Sequence, residues 1–224
     1  YPVKKFVLIS STAASGPSSN NQPKKETDLC EPISIYSKSK MEGEKVAQEF
    51  SHKIPLTIIR PPAIYGHKDR QLLNFFKLMK WGIIPLVGQN ENCFSVVYVQ
   101  DLVEAIILAA ENPIAEGQIY FISDGEIHNW EKTGEIACQI FGKKPIKIKP
   151  PKFILYLLAL ISEALGKILG QPMYLTRRKL KEIHYRYWVC DISKAQEELG
   201  YRPKFNFKRG ALETILWYKQ NKWL

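Results

Sequence analysis

The chain has 224 residues, of which 45% are apolar, 24% charged and 12% aromatic, and its formal net charge is +10. A chain of this length and apolar content can fill a hydrophobic core, which excludes a disordered tail, a collagen-like rod and a disulfide-stapled miniprotein. The excess of lysine and arginine favours anionic partners and does not choose among phosphorylated ligands, nucleic acid and acidic membranes.

Four cysteines are scattered along the chain, with no C-x-x-C pair and no histidine at metal-ligand spacing. This distribution predicts reduced thiols in a cytoplasmic protein and no metal site. The first residues show no signal-peptide pattern, and the chain begins almost directly inside a strand-like run. We therefore expect that the sequence starts within a longer protein.

The first part of the chain alternates apolar runs with polar and helical segments. Residues 6–9 are continuously apolar, the pattern of a strand buried on both faces of a parallel sheet. A long polar loop follows over 10–32, and loops of this length inside a compact domain are usually functional. The pattern then predicts a helix over 34–50 and a second buried strand at 56–59, ended by Arg60-Pro61-Pro62.

The rest of the chain continues the alternation and then becomes mostly helical. The pattern predicts a helix over 71–81, a strand at 94–99, a helix over 101–111 with Asp101 as its N-cap, and a strand at 118–122. Further helices are predicted over 130–141, 151–169, 176–182, 193–199 and 207–221. Strands that alternate with helices predict an α/β fold with a parallel sheet, and the helical remainder predicts a separate lobe.

The segment Tyr36-Ser37-Lys38-Ser39-Lys40 carries the strongest local signal for chemistry. On a helix, Tyr36 and Lys40 lie one turn apart on the same face. A fixed cation close to a phenol favours the phenolate, which makes Tyr36 a candidate acid or base for a hydroxyl/carbonyl pair. For this motif alone, a surface tyrosine beside a solvated lysine is the alternative interpretation.

Two other segments follow predicted strands directly. The cluster Ser10-Ser11-Thr12, with Gly16 after it, follows the first strand, and Arg60-Pro61-Pro62-Ala63-Ile64-Tyr65-Gly66 follows the second. In an open α/β sheet, ligands bind outside the carboxyl ends of the strands. A hydroxyl at that edge can hydrogen-bond a substrate oxygen, although serines also satisfy backbone groups at strand ends.

These three segments together resemble the extended short-chain dehydrogenase/reductase superfamily, in particular its NAD-dependent epimerase/dehydratase and 3β-hydroxysteroid-dehydrogenase-like branch. The family pattern is a strand with S-S-x-x-x-x-G, then Y-x-x-x-K, then a strand with R-P-x-x-x-Y-G. Later landmarks also resemble the family: Val96 to Leu102 matches h-V-x-D-h-A, and Asp191 to Pro203 matches D-x-S-K-A followed by L-G-Y-x-P. The resemblance therefore spans the whole chain in the right order.

The resemblance implies roles for individual residues. Ser11 matches the catalytic serine, because it lies five residues before Gly16. Tyr36 matches the proton-transfer tyrosine, and Lys40 matches the lysine that favours the phenolate and hydrogen-bonds the nicotinamide ribose. The implied cofactor is NAD or NADP, which supplies the hydride chemistry. The cofactor-binding residues that the resemblance implies are Tyr36, Lys40, Pro62, Ala63 and Ile64.

The resemblance also implies the domain organisation. We expect a Rossmann-like doubly wound parallel sheet with a smaller, mostly helical C-terminal substrate lobe. Residues 1–61, with a later strand at 118–122, would belong to the NAD(P)-binding domain, and 62–224 mostly to the substrate lobe. The glycine-rich turn that holds the pyrophosphate in this family occurs nowhere among the 13 glycines. We therefore expect that the first βαβ units lie upstream and that these 224 residues alone do not bind NAD(P) tightly.

The residues after Ser11 narrow the expected reaction. Dehydratases of this superfamily carry an acid there, where this chain has Thr12, Ala13 and Ala14. We therefore expect NAD(P)-dependent oxidation or reduction at a CH–OH/ketone group of a ring-containing substrate, either steroid-like or sugar-like. A nucleotide-sugar epimerase is the first alternative, although Ser15 stands where many of these epimerases have a tyrosine. A non-catalytic cofactor-sensing or scaffold protein is the second alternative.

The expected partner is a small-molecule substrate. Nucleic acid is not expected, because the sequence has no zinc-finger, RNP-type or helix-turn-helix signature. The apolar stretch 153–169, which lysines precede, is too short and too charged to span a membrane. We favour a helix buried in the substrate lobe, with an apolar lid over an apolar substrate or peripheral membrane contact as the alternatives. We also consider a homodimer, and we consider Arg177 and Arg178 for phosphate binding without support from their spacing.

Overall fold

Among the residues that the structure describes, the central sheet has three parallel strands. The computed structural model describes residues 3–18, 22–86, 92–169, 180, 185 and 187–224. The strand order is β1 (Phe6–Ile9), β2 (Leu56–Arg60) and β7 (Ile119–Phe121), and all pairings are parallel. Every residue of the middle strand β2 is buried, which is why most of its residues are apolar. Its two polar residues have partners: the Thr57 hydroxyl donates to the Ala115 carbonyl, and Arg60 pairs with Glu44.

Short strands outside this sheet form smaller pairings. In the described residues, β3 (Ala63–Tyr65) pairs in parallel with β6 (Val96–Tyr98). The strand β5 (Cys93–Phe94) lies between β10 (Tyr187–Trp188) and β8 (His128–Asn129). The strand β4 (Ile83–Pro85) pairs in parallel with β9 (Ile146–Ile148). These pairings connect the segment that follows β2 to the C-terminal part of the chain.

Polar side chains at the N-cap positions help to define where several helices begin. Ser34 caps the helix that carries Tyr36 by accepting a hydrogen bond from the Ser37 amide, and Asn129 and Asn206 cap two later helices in the same way. The described helices are α1 (Thr12–Ser15), α2 (Ile35–Glu49), α3 (Leu73–Lys80), α4 (Val99–Glu111), α5 (Trp130–Ile140), α6 (Lys152–Leu169), α7 (Ser193–Glu198) and α8 (Phe207–Gln220).

Two clusters of buried side chains form the core. The first lies around the central sheet and includes Ile59, Leu102 and Tyr120. The second is rich in aromatic residues and includes Tyr65 and Phe207. Burial of apolar surface of this extent is the main favourable contribution to folding, so both clusters stabilise the arrangement of strands around β2.

The α/β class with a parallel sheet is confirmed. Several local predictions were wrong. The predicted loop over 10–32 contains α1, and α4 begins at Val99 with Tyr98 in the N-cap position. Asp101 instead lies in the first turn of α4, and its carboxylate accepts hydrogen bonds from the backbone amides of Lys204 and Phe205. A contact with a segment so distant in sequence leaves no local pattern. The predicted helix over 176–182 lies outside the described residues except for residue 180.

The favoured interpretation of the apolar stretch 153–169 as a buried helix was also wrong for the part whose side chains are described. The helix α6 exists, but most of its apolar side chains up to position 164 are exposed. The division of the chain into a cofactor domain and a substrate lobe stays a prediction.

Candidate active site

A cavity of about 780 Å³ lies at the carboxyl ends of β1 and β2. Residues 10–12 follow β1 and residues 61–64 follow β2, and both segments line this cavity. The two segments are joined by a hydrogen bond from the Thr12 amide to the Pro61 carbonyl, 2.9 Å long. Since neighbouring parallel strands end at the same edge of a sheet, segments that are 50 residues apart in sequence meet at one site.

Ser11 is held at the cavity by a tight turn. It is the N-cap of α1, and its Oγ accepts a hydrogen bond of 3.1 Å from the Ala13 amide. The helix ends after one turn at Gly16, whose φ of 82° is unfavourable for other residues. A Cβ at Gly16 would also collide with the carbonyl of Glu31. The serine–glycine spacing noted in the sequence thus corresponds to the two ends of one short helix.

Tyr36 and Lys40 lie in the first turns of α2, as their spacing predicts. The Tyr36 side chain is 56% exposed and lines the cavity together with Ser11. The Lys40 Nζ lies 6.0 Å from the centroid of the Tyr36 ring. A cation at this distance interacts favourably with the negative face of the ring.

A buried ion pair fixes α2 to the sheet. The Arg60 Nε donates to Glu44 Oε1 at 2.9 Å, and the Arg60 Nη2 donates to Glu44 Oε2 at 2.5 Å. Both side chains are 4% exposed. Burial opposes the charge on Arg60, but the hydrogen bonds and the charge of Glu44 more than offset this effect, so the pKa of Arg60 is raised.

The sequence analysis did not predict the role of Glu44, although a signal was present. Glu44 lies four residues after Lys40, which lies four residues after Tyr36, so the three share one side of α2. Arg60 appeared in the sequence analysis only as part of the segment after β2. Its pairing with Glu44 shows how that segment and the helix of Tyr36 are held together.

The remaining predicted residues also border the cavity. Pro62, Ala63 and Ile64 line it, and Ala63 and Ile64 are exposed. Ser10 lines it as well, and its Oγ is buried without a hydrogen-bond partner in the described part of the chain. The structure therefore places Ser11, Tyr36 and residues 62–64 at one cavity, with Lys40 beside the tyrosine ring. Their catalytic and cofactor-binding roles stay predictions.

Five aromatic side chains that the sequence analysis did not single out also line the cavity. They come from five different elements (α3, β5, α5, β10 and α8), so no local motif unites them. Their shared feature is that they line the same cavity as Tyr36. These residues, which we call the aromatic wall, are Phe75, Phe94, Trp130, Trp188 and Phe207.

One group of acidic and histidine side chains in the described residues has its potential ligand atoms within 4.8 Å of one another: Asp124, Glu126 and His128. His128 Nε2 lies 2.8 Å from Asp124 Oδ2, and the His128 ring packs against Phe94 and Phe207. The Asp124 carboxylate and the His128 ring are thus hydrogen-bonded to each other within the core. The expectation that the protein binds no metal stays a prediction.

The parallel strands end at a cavity, as in Rossmann-type α/β proteins, whose ligands bind outside the carboxyl ends of the strands. The model of the NAD dependent epimerase/dehydratase family matches residues 1–123. The chain therefore belongs to this family, as its motifs suggested.

Curated relatives include both dehydrogenases and epimerases. The chain is 28% identical over 200 residues to a sterol-4-alpha-carboxylate 3-dehydrogenase (decarboxylating) of Schizosaccharomyces pombe, covering 85% of this chain and 58% of that protein. It is 28% identical over 218 residues to the UDP-glucose 4-epimerase of Vibrio cholerae, covering 95% and 62%. A UDP-glucose 4-epimerase of Thermotoga maritima, solved with UDP-glucose, superposes with a TM-score of 0.74 at 23% identity, covering 98% and 65%. The chain thus spans 58% to 65% of the lengths of these three proteins.

The family name implies a nicotinamide dinucleotide, and the cavity fits one end of such a cofactor. A buried hydroxyl without a partner (Ser10), an exposed phenol (Tyr36) and a nearby ammonium (Lys40) can all hydrogen-bond a ribose or a carboxamide. Residues 62–64, of which Ala63 and Ile64 are exposed, offer backbone groups at the same place. A glycine-rich turn for the pyrophosphate does not occur in the 224 residues, so the fit concerns the nicotinamide end.

Proposed function

We propose that the protein is an NAD(P)-dependent oxidoreductase acting on a CH–OH/ketone group of a ring-containing substrate. The observation that carries this proposal is the meeting of Ser11 and Tyr36 at one cavity on the carboxyl edge of a parallel sheet, with the Lys40 ammonium 6.0 Å from the tyrosine ring. Family membership supports the cofactor.

The residues at the cavity can divide the proton chemistry among them. Bound NAD(P) supplies the hydride acceptor or donor. The Ser11 hydroxyl holds the substrate oxygen, and Tyr36 exchanges a proton with that oxygen. Lys40 holds the nicotinamide ribose beside Tyr36, and residues 62–64 hold the nicotinamide end of the cofactor. The ion pair between Glu44 and Arg60 keeps α2 in place, so that Tyr36 does not move relative to the sheet.

Two alternatives use the same fold. An epimerase would retain its reduced cofactor between two half-reactions, and two relatives with this activity support considering it. A cofactor-sensing or scaffold protein would not need a hydroxyl and a phenol at one cavity with an ammonium beside the phenol. The placement of Tyr36 in the cavity favours an enzyme over this second alternative.

The test uses the complete gene product, with one tyrosine variant and two lysine variants on the same helix. Tyr36→Phe and Lys40→Met are expected to abolish turnover of a ring alcohol with NAD(P)+, while cofactor binding by Tyr36→Phe changes little. Lys45→Met is the matched control, because Lys45 is exposed and pairs with Glu42 away from the cavity. Full turnover by Tyr36→Phe would contradict the proposal. Release of NADH during turnover, followed at 340 nm, distinguishes a dehydrogenase from an epimerase.

We also propose that α6 makes peripheral contact with an anionic phospholipid surface. The stripe of α6 that faces the protein consists of Leu155, Ala159, Ser162 and Glu163, which are half-buried or buried. The outward side is more apolar: Phe153 is 71% exposed, and Leu157 and Ile161 are about half exposed. This polarity is the reverse of that of an ordinary surface helix, whose apolar stripe faces the core.

The strand that precedes α6 adds positive charge and further apolar surface. Ile146 and Ile148 of β9 are exposed, and lysines 143, 144 and 149 around them are exposed too. Each lysine near an anionic membrane contributes about 1 kcal/mol to binding. Lys147 contributes less, because it pairs with Glu131 and Glu135. In the described part of the chain, no helix is both long and apolar enough to cross a bilayer.

Vesicle sedimentation tests the membrane proposal. The protein is expected to sediment with vesicles that contain phosphatidylserine and to be released by salt, because a Debye length of about 10 Å at 0.1 M salt screens such charges. Leu157→Glu should abolish sedimentation. Ile107→Glu, on an exposed position of α4, is the matched control. Equal sedimentation of the two variants would contradict this contact surface. The cytoplasmic location, the homodimer and the lack of a nucleic-acid partner stay predictions.

A further inference from the structure

His67 lines the cavity from a tight turn that follows β3. The backbone of this turn approaches α4 closely, since a Cβ at Gly66, whose φ is 144°, would collide with the Val99 side chain. Asp69 closes the turn, because its amide donates to the Gly66 carbonyl and its carboxylate accepts from the amides of residues 71 and 72. The backbone of His67 is therefore held in place on both sides.

Aromatic rings hold the His67 side chain as well. Its ring stacks on that of Trp217, with the centroids 5.9 Å apart and an angle of 21° between the planes. The Tyr98 ring meets it edge to face at 6.2 Å, and the His67 Nε2 lies 3.3 Å from the Tyr98 hydroxyl oxygen. A half-buried ring with contacts on two sides has little freedom to rotate, so the direction of its second nitrogen, Nδ1, is set by the fold.

The Tyr98 hydroxyl determines which nitrogen of His67 carries the proton. Tyr98 is fully buried, and in the described part of the chain its hydroxyl has no hydrogen-bond partner besides His67. The hydroxyl proton needs the His67 ring as its acceptor, since a buried donor without an acceptor is costly. A ring nitrogen that accepts carries no proton, so in neutral His67 the proton lies on Nδ1. Burial also raises the pKa of Tyr98, which keeps its hydroxyl protonated.

The Nδ1–H group of His67 is a donor that no described residue uses. Among the residues that the structure describes, the hydrogen bond of the His67 ring is the one to Tyr98, and that bond occupies Nε2. The cavity that His67 lines is also the one that Ser11 and Tyr36 line. A donor whose direction and protonation are both fixed before binding costs little to order when a ligand arrives.

We propose that His67 is a substrate-binding residue, whose Nδ1–H donates to an oxygen of the substrate other than the reacting one, and that Tyr98 is the positioning residue that keeps the proton on Nδ1. The inference rests on the proposed function, in which Ser11 and Tyr36 meet the reacting oxygen. One contact at that oxygen lets the substrate rotate. A second contact at His67 fixes the orientation that hydride transfer needs.

NMR of the complete gene product, with nitrogen-15 in its histidines, tests the position of the proton without any turnover. At about pH 8.5, where a histidine in water is neutral, the His67 proton should lie on Nδ1, and Tyr98→Phe should move it to Nε2 in most molecules. Tyr120→Phe is the matched control, because Tyr120 is also fully buried but its hydroxyl donates to Glu198. A proton on Nε2 in the unmodified protein would overturn the inference, as would equal proton positions in the two tyrosine variants.

Two probes test the substrate contact: dehydroepiandrosterone for a steroid-like substrate and UDP-glucose for a sugar-like one. With NAD+ and Tyr36→Phe, which prevents turnover, one of them should shift the Nδ1 resonance of His67. In the active protein, His67→Phe keeps a ring against Trp217 but has no donor. It should raise KM for that probe about fivefold to tenfold and change kcat little. His67→Asn, whose side-chain amide supplies an N–H near the place of Nδ1, should recover most of this loss.

His52→Phe is the control for the kinetic measurement, because His52 is exposed and does not line the cavity. Equal KM values for the His67→Phe and His52→Phe proteins would overturn the substrate contact, as would a His67→Asn protein no better than His67→Phe. Turnover of a probe that leaves the Nδ1 resonance unmoved would contradict the contact alone, and no shift with either probe would overturn it too. A shift at Nδ1 without turnover of either probe by the unmodified protein would contradict the proposed oxidoreductase and leave the contact supported.

Discussion

Replacing Glu44 by alanine tests how the helix of Tyr36 is held. The Glu44 carboxylate accepts hydrogen bonds from two nitrogens of Arg60, and both side chains are 4% exposed. The Arg60 guanidinium also lies 5.7 Å from the centroid of the Phe121 ring, and its Nη1 is buried without a partner in the described residues. Without Glu44, a buried positive charge would lose its counterion and keep its desolvation cost.

The expected loss of folding stability in Glu44→Ala follows from this burial. Removing one partner of a buried ion pair typically destabilises a protein by about 3–5 kcal/mol. The matched control lies on the same helix: Glu42 pairs with Lys45 at 3.0 Å, but both are more than half exposed. Exposed pairs of this kind contribute about 0.5 kcal/mol or less. Glu44→Ala should therefore be several kcal/mol less stable than Glu42→Ala.

Urea denaturation followed by circular dichroism measures the difference. With a slope of about 2 kcal/mol per M, a loss of about 4 kcal/mol lowers the midpoint by about 2 M. A difference between Glu44→Ala and Glu42→Ala below about 1 kcal/mol would refute the reasoning. The double variant Glu44→Leu/Arg60→Met should recover much of the loss, because replacing both charges by apolar groups leaves no unpaired ion.

Two further predictions concern stability. Burial raises the pKa of Glu26 more than the hydrogen bond from the Phe121 amide lowers it. The group therefore stabilises the fold below its ordinary pKa, and this contribution is lost as the pH rises through the raised value. Glu26→Gln should thus gain stability relative to the unmodified protein between pH 4 and pH 7 in urea melts, and a constant difference would count against this cause. In thermal melts, Gly43→Ala should stabilise by about 0.5–1 kcal/mol, because the position is helical and open. Gly210→Ala should destabilise by about 1–3 kcal/mol, since its Cβ would collide with the fully buried Tyr65 ring; equal effects of the two substitutions would contradict the packing described.

Elements with a strong local pattern could be predicted from the sequence. The strands β1 and β2 are apolar runs, and α2 has a serine cap and a helical spacing, so each of these signals lies within a few residues. The expected burial of the first strand was wrong, since Phe6 of β1 is exposed and the other residues of β1 are half-buried. The short strands β3 and β9 escaped prediction, because two or three residues carry no periodicity. The sequence analysis also placed Asp101 at an N-cap. Its actual hydrogen-bond partners, the backbone amides of residues 204 and 205, are too distant in sequence for a local pattern to reveal them.

For the site, the sequence by itself determined which reactive groups are present. These are the hydroxyl of Ser11, the phenol of Tyr36 and the ammonium of Lys40, which follow one another in the order of the family motifs. The sequence also showed that the glycine-rich turn does not occur in these 224 residues. Spacing along a helix is a local property, so Tyr36 and Lys40 could be paired in advance. Only the tertiary structure decided which distant side chains line the cavity with Tyr36 and which ones hold its helix in place. The aromatic wall joins residues from 75 to 207, and the ion pair joins residues 44 and 60. Such contacts arise when β1, β2 and the later strands assemble, because long-range packing leaves no record in any single stretch of sequence.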